Sequence, residues 1–233
     1  MVVPSCSSCN RATSTSEQIV ATLARSMREW TPRGLDHERT KKMLRDGVGR
    51  DAPEILQEWK RRLKPSQRAG FRQVEEKIGK TARPINIGYL TRAHIRVFGA
   101  KLAFALHYAS AKRIVSPSGG VAVQIRSIKE IQQQQLPMNF RALLGDVLTL
   151  KQGRRFEVSD QFNYSSASDD VSSVHWANIS NCFELLLFVV EDVTQLTGQG
   201  WIKDQIFQPG GVQSPIRPRP IDSYWTSWRQ DLF

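Results

Sequence analysis

Residues 91–125 read TRAHIRVFGAKLAFALHYASAKRIVSPSGGVAVQI, and within them the apolar repeat changes from that of a helix to that of a strand. From Thr91, residues Ile95, Phe98, Leu102, Ala105 and Leu106 recur at helical spacing, with Gly99, Ala100, Ala103 and Ala109 beside them. A face this wide belongs at the centre of a core. From Gly119 the period becomes two: Val121, Val123 and Ile125 alternate with small or polar residues, as in a half-buried strand.

Outward from this junction the two halves differ in kind. Upstream, Ser14-Thr15-Ser16-Glu17 offers capping residues, and Ile19, Val20, Leu23, Met27 and Trp30 follow with helical spacing until Thr31-Pro32-Arg33-Gly34 ends the pattern. A second helix is expected from His37 to Arg45. A third starts at Pro53, a favoured first-turn residue, with Ile55, Leu56, Trp59 and Leu63 on one face. A weaker fourth lies between Pro65 and Gly79. Downstream, Phe156, Val158, Phe162 and Tyr164 suggest one strand, and Val174, Trp176 and Ile179 another. The run from Phe183 to Val190 is apolar enough for a strand covered on both faces. Helices first and strands afterwards predict an α+β fold, N-terminal helices followed by an antiparallel sheet. Residues 1–30, 31–207 and 208–233 divide as an N-terminal unit, a helical plus β domain, and a flexible tail. In the tail Pro215, Pro218 and Pro220 interleave with Arg217 and Arg219.

The 233 residues carry a net charge of +11, unevenly placed. Through Arg113 there are 23 Lys and Arg against 10 Asp and Glu; from Ile114 onward there are 10 against 12. The basic half favours polyanionic partners, because each phosphate neutralised releases counterions. Lys60, Arg61, Arg62 and Lys64 form a positive ridge suited to a phosphate backbone, equally readable as a solvated helix face. The longest apolar run, Leu185 to Val190, is far short of the roughly 20 residues of a membrane span. Three cysteines make no disulfide framework, so a reducing, cytoplasmic setting is expected.

Chemistry-bearing motifs are few. Ser116-Pro117-Ser118-Gly119-Gly120 has glycines but no lysine and no following helix, which argues against a phosphate loop. His94 and His107 are expected at the core edge or surface. Glu75-Glu76 and Glu191-Asp192 are sequence neighbours that point apart and make no acid/base pair. The remaining motif is Cys6-Ser7-Ser8-Cys9 followed by Asn10. Two intervening residues let both thiolates point into one turn, as zinc requires, but a tetrahedral site needs two further ligands. A redox pair or an inert pair stays open on the residues alone.

The segment Val2-Val3-Pro4-Ser5-Cys6-Ser7-Ser8-Cys9-Asn10-Arg11, with the Ser/Thr-rich stretch and Glu17 after it, resembles the second half of the zinc-knuckle branch of HNH endonucleases. The resemblance covers about residues 2–20 and implies a fragment of a ββα-metal motif at the N-terminus. Under it, Cys6 and Cys9 match the second pair holding a structural zinc, and Asn10 matches the asparagine that orients the attacking water. Glu17 falls, within a residue or two, at the position that helps hold a catalytic Mg or Mn. The activity implied is metal-dependent hydrolysis of DNA. The family's first cysteine pair and hairpin histidine have no counterpart here, so the expectation is a truncated, incomplete nuclease. The alternative is a non-catalytic nucleic-acid-binding protein using its basic helices.

Overall fold

In a computed structural model, the structure describes residues 7–28, 42–60, 87–126, 148–149, 151–152, 156–157, 162–180, 183–196 and 206–215. Helix α1 runs Ser7–Arg28. A π-helical turn, Met43–Val48, and a short helical turn, Gly49–Asp51, lead to α2 at Pro53–Lys60. The long helix α3 is Tyr89–Ala111. The strands are β1 Gly120–Arg126, β2 Leu148–Thr149, β3 Lys151–Gln152, β4 Phe156–Glu157, β5 Phe162–Ser168, β6 Ser172–Ile179, β7 Phe183–Val190 and β8 Ile206–Phe207. The α+β class and the order of helices before strands are as the sequence predicts.

Six strands form one antiparallel sheet in the order β2-β5-β6-β7-β1-β8, and β3 pairs with β4 separately. Helix α3 lies across one face of the large sheet, and α1 packs on α3. One core joins the layers: Ile19 and Leu23 of α1, Ile55 of α2, Ile95 and Leu106 of α3, Val121 of β1 and Leu185 and Leu187 of β7. Each such side chain stabilises by about 1.5–3 kcal/mol on burial. Residues of α1 therefore share a core with the sheet. On the sheet's other face Ala122, Val190 and Leu196 pack with Phe188 and Ile206, so β7 is covered on both faces, as its unbroken apolar run predicts.

Three local expectations change. Helix α1 begins at Ser7, so Ser14 to Glu17 lie inside it rather than capping it. The inward face of β6 consists of Ser173, His175, Ala177 and Ile179, while Val174 and Trp176 are only half-buried on the other side. The buried face carries Ser173 and His175 because these side chains bond each other, His107 and Ser166, so polarity does not mark the solvent side. Phe156 falls in β4, which pairs with β3, and Phe162 and Tyr164 fall in β5 of the large sheet; Val158 lies outside the described residues. Residues 37–41, Leu63, the expected fourth helix and the tail beyond Pro215 lie outside the described residues.

Candidate functional site

On α1, Asn10, Thr13 and Glu17 are spaced three and four apart and form one stripe, since such positions stack along a helix. Lys101 of α3 reaches that stripe. Its Nζ donates to Asn10 Oδ1 at 2.8 Å, Thr13 Oγ1 at 3.1 Å and Glu17 Oε1 at 2.5 Å. Thr13 Oγ1 lies 2.7 Å from the same Glu17 oxygen. The two residues expected to serve catalysis and metal binding, Asn10 and Glu17, are thus brought together around an ammonium group. Lysine presents three donors and no acceptor, and here all three point at oxygens that would otherwise face a cation.

With Lys101 in place, the stripe of Asn10 and Glu17 does not fit a magnesium or manganese ion. A divalent ion at Asn10 and Glu17 would sit within a few ångströms of the Lys101 charge, and the two would repel. Cys9 is half-buried on the first turn of α1, while Cys6 and Cys182 lie outside the described residues. Among the described residues no group of three His, Cys, Asp or Glu side chains is close enough to hold a metal ion.

Of the basic ridge, Lys60 ends α2 and is exposed; Arg61, Arg62 and Lys64 lie outside the described residues. Arg11, Arg25, Lys42, Arg45 and Arg50 are also exposed on the helical layer. Arg45 and Arg50 pair with their neighbours Asp46 and Asp51 at 2.7 and 2.8 Å. Such exposed pairs add little to stability and are readily exchanged for other anions.

Three buried polar clusters around α3 escaped the sequence reading. At its N-terminus Gly88 has no side chain to cap the helix, and Glu58 of α2 supplies the cap instead. Glu58 Oε1 accepts from the Gly88 and Thr91 amides at 3.1 and 3.0 Å, and Oε2 accepts from Leu90 at 3.0 Å. The Thr91 hydroxyl donates to Glu58 Oε1 and accepts from Trp59 Nε1 at 2.9 Å. A Cβ on Gly88 would collide with this carboxylate, so glycine is required by close approach.

His94 is 3% exposed, and its Nδ1 lies 2.9 Å from Ser16 Oγ, which lies 2.8 Å from Ser214 Oγ. Ser214 also donates its amide to Ala12 at 2.6 Å, tying the start of the tail to α1. Burial lowers the His94 pKa from 6.5 to about 4.

The third cluster crosses from helix to sheet. His107 Nδ1 lies 2.8 Å from Ser173 Oγ, which lies 2.9 Å from His175 Nε2, and His175 Nδ1 lies 2.7 Å from Ser166 Oγ. At the other end, Glu191 Oε1 stands 3.4 Å from His107 Nε2, while Glu191 Oε2 accepts from the Ser116 amide at 2.8 Å. Both rings are fully buried. Burial pushes His175 down to about 3, with the nearby His107 adding to the effect. Burial also lowers His107, Glu191 opposing it and Arg113 reinforcing it. A Ser–His–Glu set invites comparison with a hydrolytic triad, but Ser173 is 2% exposed, which leaves a substrate no access to it. The histidines expected at the core edge or surface are in fact interior: hydroxyls meet Nδ1 of His94 and of His107, while His107 Nε2 faces only the Glu191 carboxylate at 3.4 Å and forms no hydrogen bond there.

Among the described residues no helix is long and apolar enough to cross a membrane. In comparisons with known proteins, no family model, no curated protein and no solved structure matches this chain.

Proposed function

We propose that this chain is a nucleic-acid-binding protein that engages the phosphate backbone through its helical half, with DNA the first class of ligand to test. The observation that carries the reading is the charge asymmetry: the half ending at Arg113 holds 23 basic against 10 acidic residues. Six of those basic side chains, Arg11, Arg25, Lys42, Arg45, Arg50 and Lys60, are exposed on the helices. Neutralising about five phosphates would make affinity fall about 10²–10³-fold between about 50 and 200 mM salt. Fluorescence anisotropy with a labelled duplex tests this. The expected result is a steep salt dependence, indifference to chelator and to Asn10→Ala, and weaker binding by Lys60→Glu. An affinity that does not change with salt, or no binding at low salt, overturns it.

A second reading, HNH-type hydrolysis of DNA, is favoured by Asn10 and Glu17 sharing a stripe of α1 that begins on the turn bearing Cys9. For that chemistry Lys101 would have to leave the stripe. Cleavage of plasmid DNA with Mg²⁺ or Mn²⁺, lost on chelation and in Asn10→Ala, would establish it; no cleavage under either ion refutes it.

A further inference from the structure

The His107–Ser173–His175–Ser166 chain has a direction. Each serine hydroxyl holds one proton and each neutral imidazole one N–H, so every link needs one donor and one acceptor. The Glu191 carboxylate faces His107 Nε2 at 3.4 Å and favours a proton there. His107 Nδ1 must then accept from Ser173, whose oxygen accepts from His175 Nε2–H. His175 Nδ1 in turn accepts from Ser166. With that start, all protons point toward Glu191 and both neutral rings carry their proton on Nε2, an assignment that follows from the Glu191 charge.

One added proton can be absorbed: the Ser173 and Ser166 hydroxyls reverse, His175 exchanges its Nε2 proton for one on Nδ1, and His107 becomes the cation. A second makes both rings cationic: Ser173 Oγ then accepts from both, its own proton is left without an acceptor, and two positive charges face each other across one buried serine.

We propose that this chain is a proton-gated latch, which at neutral pH holds the turn end of the β5–β6 hairpin against α3 and releases it when both histidines are protonated. Position supports a local release. The inward side chains of the hairpin are polar at its turn end, Ser166, Ser173 and His175, and apolar at the other end, where Phe162 and Tyr164 pack with Ala177 and Ile179. Acid therefore acts on one end only. The charged groups around the latch are Glu191 after β7, Arg113 after α3, and Asp169 and Asp170 in the turn. Arg113 donates to the carbonyls of Asp170 and Asp169 at 2.6 and 2.8 Å, and the Asp169 carboxylate caps its own turn. Neither aspartate carboxylate contacts an imidazole, and Arg113 adds positive charge near His107, which makes the second proton harder to hold.

Amide hydrogen exchange of the full chain as a function of pH, corrected for intrinsic exchange, tests the latch. Between pH of about 6 and 4.5, the opening constant of amides in 164–176 should rise more than tenfold per pH unit, since opening takes up more than one proton. Amides of β1 and β7 should stay protected in that window. In His175→Phe the rise should fall to tenfold per unit or less. ¹⁵N shifts of the wild-type rings at pH 7 should report two neutral Nε2–H imidazoles, a measurement that does not depend on any variant folding. A ring found charged or protonated on Nδ1 at pH 7, pH-independent protection of 164–176, or loss of protection together with β1 and β7 would each overturn the proposal.

Discussion

Replacing Glu58 should cost more stability than replacing any exposed carboxylate, and the size of the loss can be worked from its contacts. The side chain is 3% exposed and accepts from three backbone amides at the start of α3, with the Thr91 hydroxyl as a fourth donor. Those amides sit at the positive end of the helix, where a carboxylate is favoured. Hydrogen bonds to a charged group contribute about 1.5–3 kcal/mol each, and a buried donor left alone costs about 1–3. The losses overlap because water enters the vacated space, so Glu58→Ala should destabilise by about 3–5 kcal/mol. For a chain of this length each kcal/mol moves Tm by about 2–4 °C. Glu58→Gln is more informative. Its amide oxygen can replace Oε1, which takes three of the four donors, but its NH₂ would then face the Leu90 amide where Oε2 accepted at 3.0 Å. That single donor–donor conflict predicts a loss of about 1.5–3 kcal/mol. Urea unfolding followed by circular dichroism gives both values. In a double-mutant cycle, Glu58→Ala with Thr91→Val should cost less than the sum of the two, because each removes the same contact. A loss below about 1 kcal/mol for Glu58→Ala, or strict additivity with Thr91→Val, would refute the capping argument.

Three further outcomes are expected. Lys101→Met should lower the urea midpoint only slightly, by less than about 1 kcal/mol, because Lys101 and Glu17 are 29% and 41% exposed and solvent screens them; a loss above about 2 would show that the ammonium is structurally essential. Stability should fall with acidification from about pH 6.5 towards 4.5. The folded-state values of His94 and His175 are depressed to about 4 and about 3, so the unfolded chain binds protons first. The two together give a slope of about 3 kcal/mol per pH unit, and a flat urea midpoint across that window would contradict their burial as neutral rings. Gly99→Ala should destabilise despite alanine's better helix propensity of about 1 kcal/mol. A Cβ there would stand 2.7 Å from Val123 Cγ1 in the α3–sheet interface, where overpacking costs about 1–3 kcal/mol; thermal unfolding that shows a gain in Tm would disprove the close approach.

Much of the frame was legible because it rests on periodicity. The wide stripe of α3, the start of α2 at Pro53, the alternation of β1 and the unbroken apolar run of β7 each report a local repeat that the chain cannot satisfy in another conformation without exposing apolar surface. Boundaries were harder to read. Ser14 to Glu17 looked like a cap because serine and threonine favour helix starts. In the structure these residues extend an existing helix, where the buried Thr13 and Ser16 hydroxyls are satisfied by Glu17, by backbone carbonyls and by the His94 and Ser214 side chains.

The candidate sites divide in the same way. Asn10 and Glu17 could be singled out from the sequence because both lie on one segment, but their common partner Lys101 is 84 residues beyond Glu17, and no local pattern announces it. Ser173 and His175 carried a misleading signal. Alternate polar residues in a strand ordinarily mark the wet face, yet here they face α3 and His107. Glu58 was equally hidden: it shares a face with Ile55, but a carboxylate ordinarily stays in water and its partners Gly88, Leu90 and Thr91 lie 30 to 33 residues further on.

The sequence by itself determined the order of helices and strands, the concentration of positive charge in the first half and the depth at which α3 and β7 are buried. These follow from composition and from spacing along the chain. Which polar side chains are interior, and which of them meet, was decided only by the tertiary structure. The physical reason is that a buried donor or acceptor must find a partner, and for Glu58, Lys101, His94 and His107 that partner is supplied by a distant segment brought close by the packing of α3.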